Sequence, residues 1–60
     1  MSAGRQLAAD LLIDIDQDER QVLKYANDSF VEGFLIGKFG REHSRVSLYN
    51  AVFHLKELLP

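Results

Sequence analysis

Cysteine is absent from the chain, and its only proline is Pro60. Without cysteine the chain can form neither a disulfide framework nor a thiolate metal site. Asp10 and Asp14 lie inside the first apolar stretch, which does not fit a secretory signal, and no apolar run approaches the roughly 20 residues of a membrane span. We therefore expect a cytoplasmic protein without membrane contact and without a metal or other cofactor.

The length of 60 residues predicts a single domain, residues 1–60. Domains of this size lie near the lower limit for folding without disulfides or metals. Apolar residues make up 47% of the chain, which is too many for a disordered segment. Such a chain needs either a dense core of its own or a core that it shares with a partner.

Apolar residues in the first part of the chain have the spacing of helices. One face of a first helix, opposite Asp10 and Asp14, carries Leu7, Ala8, Leu11, Leu12 and Ile15. A second helix is predicted to start after Asp16, whose carboxylate can accept from free amides of the first turn. Glu19 stands three positions later, as the partner in a capping box.

A third helix is predicted after Ser29, because Ser29 and Glu32 repeat the capping-box spacing and apolar residues then resume the helical period. Gly33 and Gly37 inside this helix each cost about 1 kcal/mol relative to alanine, so Phe34–Ile36 is alternatively a short strand. In a helix the two glycines share one side, which would let another backbone approach closely or simply allow tight packing.

A fourth helix is predicted after Ser44 as its N-cap, which makes the chain an all-α bundle of about four helices. Polar residues occupy one narrow arc of this helix, and apolar residues cover most of the remainder. A monomer of this size has too few helices to cover so broad an apolar surface. We therefore predict a homodimer or partner interface at Leu48, Leu55, Leu58 and Leu59. The alternative is that the first helix covers this surface.

The two parts of the chain differ in charge. Residues 1–36 carry three cations and seven carboxylates, so 3 − 7 = −4, whereas residues 37–60 carry four cations and two carboxylates, so 4 − 2 = +2. The basic part favours binding to an anion, and nucleic acid is the commonest large anionic partner of proteins. The alternative is an ordinary mixed surface.

A short helix, a four-residue turn and a longer helix over Phe30–Leu55, with Gly40 in the turn, resemble helix-turn-helix DNA-binding domains. The segment 44–51 is similar to many recognition helices. The segment from Glu19 to Leu23 is similar to the start of the first helix in LuxR-type domains, whose final helix can dimerise. The resemblance implies a small regulator of transcription that binds DNA.

Under this resemblance, six polar side chains contact DNA. Base edges would be read by Ser47, Asn50 and His54, and Asn50 suits a bidentate contact with adenine. Phosphates would be held by Lys38, Arg41 and Arg45. The alternative is that Ser47, Asn50 and His54 are simply the solvent-exposed polar side of an amphipathic helix.

The competing function is that of a protein-interaction module, such as a small antagonist that docks its apolar fourth helix on a larger protein. An acidic surface would assist this binding, either by contacting a basic patch on the partner or by imitating a nucleic-acid backbone. Its residues are Asp10, Asp14, Asp16, Asp18 and Glu19. A charge run of this length is alternatively a solvated face.

The sequence contains no pattern typical of an enzyme or a metal site. Asp14, Asp16 and Asp18 alternate like the start of an EF-hand loop, but a glutamate replaces the turn glycine, and capping by Asp16 explains the cluster. His43 and His54 alone are too few for a zinc site. No nucleophile elbow and no phosphate-binding glycine loop is present. We therefore predict that the chain is not an enzyme.

Overall fold

Four α-helices make up most of the computed structural model, which describes residues 3–60. Their bounds are α1 (Ala3–Ile13), α2 (Gln17–Tyr25), α3 (Asp28–Phe39) and α4 (Arg45–Leu58). The predicted all-α bundle is thereby confirmed, and residues 34–36 are helical rather than a strand. Met1 and Ser2, which the predicted domain included, lie outside the described residues. None of the four described helices is long and apolar enough to cross a membrane.

The starts of α2 and α4 are capped as the sequence predicts. Asp16 Oδ1 accepts a hydrogen bond from the backbone N–H of Glu19 at 2.9 Å, and Glu19 Oε1 accepts one from the backbone N–H of Asp16 at 3.1 Å. Ser44 Oγ accepts from the backbone N–H of Ser47 at 3.1 Å. These bonds satisfy amides that have no partner within the helix and so fix where each helix begins.

The start of α3 differs from the prediction. Asn27, and not Ser29, is the N-cap: its Oδ1 accepts from the backbone N–H of Phe30 at 2.8 Å. Asparagine caps a helix as well as serine does. Only Ala26 and Asn27 therefore separate α2 from α3, and Ser29 lies inside the first turn of α3.

One hydrophobic core receives side chains from every helix. The predicted face of α1 is confirmed, since Ala8, Leu11 and Ile15 are buried and Leu7 and Leu12 are partly buried against them. The other buried residues are Leu23, Val31, Leu35, Phe39, Leu48, Ala51, Val52, Leu55 and Leu59. Packing of α1 and α3 against α4 makes α4 the central element of the bundle.

Two half-buried cations join helices through backbone carbonyls. In α2, Arg20 donates to the oxygens of Leu12 at 2.6 Å and Ile15 at 2.9 Å, at the end of α1. In α4, Lys56 donates to the oxygen of Ala26 at 2.6 Å. The latter bond places the end of α4 beside the junction between α2 and α3.

Gly4 is the glycine at a close helix approach. A Cβ on Gly4 would lie 2.7 Å from the backbone oxygen of Asn50 and 3.1 Å from His54 Cδ2, so α1 crosses α4 here almost backbone to backbone. Around Gly33 and Gly37, apart from their chain neighbours and the adjacent backbone of α3, no atom of residues 3–60 lies within 4 Å of such a Cβ. The prediction of a close approach or tight packing at Gly33 and Gly37 is therefore wrong within the described part of the chain.

Alanine at these glycines should change stability in opposite directions. Gly33→Ala and Gly37→Ala should each raise the free energy of unfolding by about 0.5 to 1 kcal/mol, because both sites are open helix positions. Gly4→Ala should lower it, because the new methyl group meets the Asn50 carbonyl. Urea unfolding followed by circular dichroism measures all three. Stabilisation by Gly4→Ala would contradict the close crossing of α1 and α4.

Candidate functional site

One side of α4 is used entirely by the protein's own core. Leu48 and Leu55 have no exposed surface, Leu59 is 8% exposed, and Leu58 packs against the core at its edge. These four leucines are therefore no open interface on the single chain, because α1 and α3 pack against α4, whereas the alternative prediction had named the first helix alone as the cover. The homodimer itself stays a prediction.

The opposite side of α4 exposes three large apolar residues. Val46 is 71% exposed, Tyr49 51% and Phe53 54%. The Tyr49 and Phe53 rings meet edge to face, with centroids 6.4 Å apart and an interplanar angle of 81°. Intervals of three and four residues put all three on one side of the helix. Val46, Tyr49 and Phe53 are named the outer face of α4 below.

The three residues predicted to contact bases do not share this outer face. Ser47 is tied into the N-cap, where its Oγ lies 2.9 Å from Ser44 Oγ. His54 packs beside Gly4 at the α1–α4 crossing, and its Nδ1 lies 3.3 Å from Glu57 Oε1. Asn50 is exposed. Of the predicted base-reading set, Asn50 alone is therefore presented openly to solvent.

The residues predicted to contact phosphates fall into two groups. Lys38 Nζ lies 3.4 Å from Glu19 Oε1 and 5.9 Å from the centroid of the Phe34 ring, so its charge is partly compensated within the fold. Arg41, in the turn after α3, and Arg45, at the start of α4, are exposed and have no ion pair among residues 3–60. Two uncompensated cations thus lie near the start of α4.

The acidic residues of the first part of the chain are divided between capping and surface positions. Asp16 and Glu19 form the capping box of α2, and Asp18 is exposed in its first turn. Asp10 and Asp14 line an open groove of about 600 Å³ between α1 and the end of α3. Among residues 3–60 no three histidine or carboxylate side chains come together as a metal site.

The sequence shows the apolar residues of the outer face, but helical spacing alone does not tell whether they are exposed or buried. Helical spacing separates the Tyr49 and Phe53 side from the Leu48 and Leu55 side, but both sides are apolar. Which of them is covered depends on where α1 packs, and that is decided by contacts distant in sequence such as Gly4 with Asn50.

Comparisons with protein-family models, with curated proteins and with solved structures found no match to this chain.

Proposed function

We propose that this chain is a non-enzymatic protein-interaction module that docks the outer face of α4 on a protein partner. The observation that carries the proposal is the pair of adjacent, half-exposed aromatic rings of Tyr49 and Phe53, on a helix whose other side is filled by the core. Tyrosine and phenylalanine are enriched in protein interfaces, where burial of their rings supplies much of the binding energy.

The rigidity of α4 also supports docking. Ser44 caps its start, Lys56 holds its end against Ala26, and four buried residues fix its inner side. The backbone of such a helix needs no ordering when a partner binds, which avoids part of the entropic cost of association. The outer face is therefore already arranged for binding before a partner arrives.

Replacing Phe53 by aspartate should weaken partner binding tenfold or more, because a charge would stand in the centre of the apolar contact. Val22→Asp in α2 is the matched control, since Val22 is 56% exposed and Phe53 54%. The measurement is quantitative recovery of proteins bound to the tagged chain in its native cells. Equal recovery by the two variants would contradict docking through the outer face.

DNA binding by a helix-turn-helix regulator is the second candidate. Arg41 in the turn before α4 and Arg45 at the start of α4, both exposed and without an ion pair among residues 3–60, favour it, together with exposed Asn50 on α4. Titration of fluorescent duplex DNA at two salt concentrations separates the candidates, because phosphate contacts make affinity fall steeply with salt. Micromolar, salt-sensitive binding that Asn50→Ala and Arg45→Ala abolish would establish the DNA candidate. The protein-interaction proposal expects no such binding.

A further inference from the structure

Four exposed side chains follow one another along the outer side of α4 at intervals of four residues. They are Arg45, Tyr49, Phe53 and Glu57, and they are named the α4 ridge. Side chains four apart on an α-helix form a continuous ridge that can enter the groove of another helix. The α4 ridge has a basic end, two aromatic rings in the middle and an acidic end.

The α4 ridge is complementary to itself under a two-fold rotation. Positions 45 and 57 are equally distant from position 51, and so are positions 49 and 53. A two-fold axis that passes between Tyr49 and Phe53 on the outer side of α4, at the level of position 51 along the helix, therefore sets the basic end of each copy against the acidic end of the other and brings the two aromatic pairs together. We propose that the partner of the outer face is a second copy of this chain, with the two α4 helices antiparallel; this inference rests on the proposed function.

The charges at the two ends of the ridge are available for this pairing. Arg45 has no ion pair among residues 3–60. Glu57 lies 3.3 Å from His54 through Oε1, but its side chain is 68% exposed, so a guanidinium can reach the carboxylate. Lys56 does not compete, because its ammonium is held by the oxygen of Ala26 and lies 3.5 Å from Asp28 Oδ1.

The packing geometry of the two ridges is a common one. Helices whose four-residue ridges interdigitate cross at about −50°. In that arrangement each ridge lies in the groove between the partner's ridge and its neighbouring row, which contains Val46 and Asn50. Val46, 71% exposed in the single chain, would be covered there.

The size of the contact sets the expected strength. Standard interfaces bury about 800 Å² on each partner, which would be roughly a fifth of the 4156 Å² surface of this chain. One helix face supplies only part of such an area, so we expect a weak dimer with a dissociation constant on the order of tens of micromolar.

Charge reversal at the ends of the ridge tests the pairing. Sedimentation equilibrium of the purified chain should show a monomer–dimer equilibrium between about 10 and 500 micromolar. Arg45→Glu and Glu57→Arg should each weaken it about tenfold or more, because each replaces two attractive pairs by two repulsive ones. An equimolar mixture of the two variants should recover dimers, since every end then again faces an opposite charge.

Arg41→Glu is the control, because it makes the same change of charge on the exposed turn outside the α4 ridge, and it should leave the equilibrium unchanged. A monomeric mass at every concentration, a dimer unaffected by either reversal at the ridge, or no recovery in the mixture would overturn the proposal. A wild-type chain that stays monomeric but binds another protein in a Phe53-dependent way would refute the second copy as partner while leaving the proposed function standing.

Discussion

Leu55→Ala should lower the free energy of unfolding by about 3 kcal/mol. Leu55 has no exposed surface and packs in the core shared by all four helices. Truncation of such a leucine loses transfer free energy and leaves a cavity, with measured costs of about 2 to 5 kcal/mol. A small domain has only about 5 kcal/mol of stability or little more, so the variant should be partly unfolded near 37 °C.

Phe53→Ala on the opposite side of α4 is the matched comparison for Leu55→Ala. Because Phe53 is 54% exposed, its truncation should cost no more than about 1 kcal/mol. Thermal and urea unfolding followed by circular dichroism measure both variants. If the Leu55→Ala protein were as stable as the wild type but impaired in self-association, Leu55 would be an interface residue, as the sequence predicted, and not a core residue.

Arg20→Ala should lower the free energy of unfolding by about 2 kcal/mol. The Arg20 side chain is half-buried and donates to the oxygen of Leu12, in the last turn of α1, and to that of Ile15, in the connection that follows. Hydrogen bonds from a charged group contribute about 1.5 to 3 kcal/mol. Urea unfolding measures the loss, and Arg41→Ala, on the exposed turn, should change stability by less than about 0.5 kcal/mol. Equal effects at the two positions would show that the α1–α2 junction is not held by Arg20.

The helices were predictable from sequence because their signals are local. The capping box of Asp16 and Glu19 and the Ser44 cap involve residues three apart, and they appear in the structure as predicted. The N-cap of α3 could not be predicted in this way, because Asn27 and Ser29 lie two residues apart and both residue types are good caps. Local preference alone does not choose between them.

The candidate site was less predictable because it depends on packing between distant segments. The polar arc of α4 predicted that Ser47, Asn50 and His54 face outwards together. In the structure α1 crosses α4 at Gly4, beside His54, and the N-cap of α4 engages Ser47. Asn50 is exposed as expected, whereas the outer face is formed by apolar residues that the polar arc did not include.

Site-specific photo-crosslinking from position 53 tests the central proposal most directly. A photoreactive phenylalanine analogue is placed at position 53, and in a second protein at position 22, where exposure is similar. We expect covalent adducts with a protein from position 53 and few from position 22, and an adduct of twice the 6.8 kDa chain if the partner is a second copy. Protein adducts formed equally from both positions, or from neither, would contradict a binding surface on the outer face of α4.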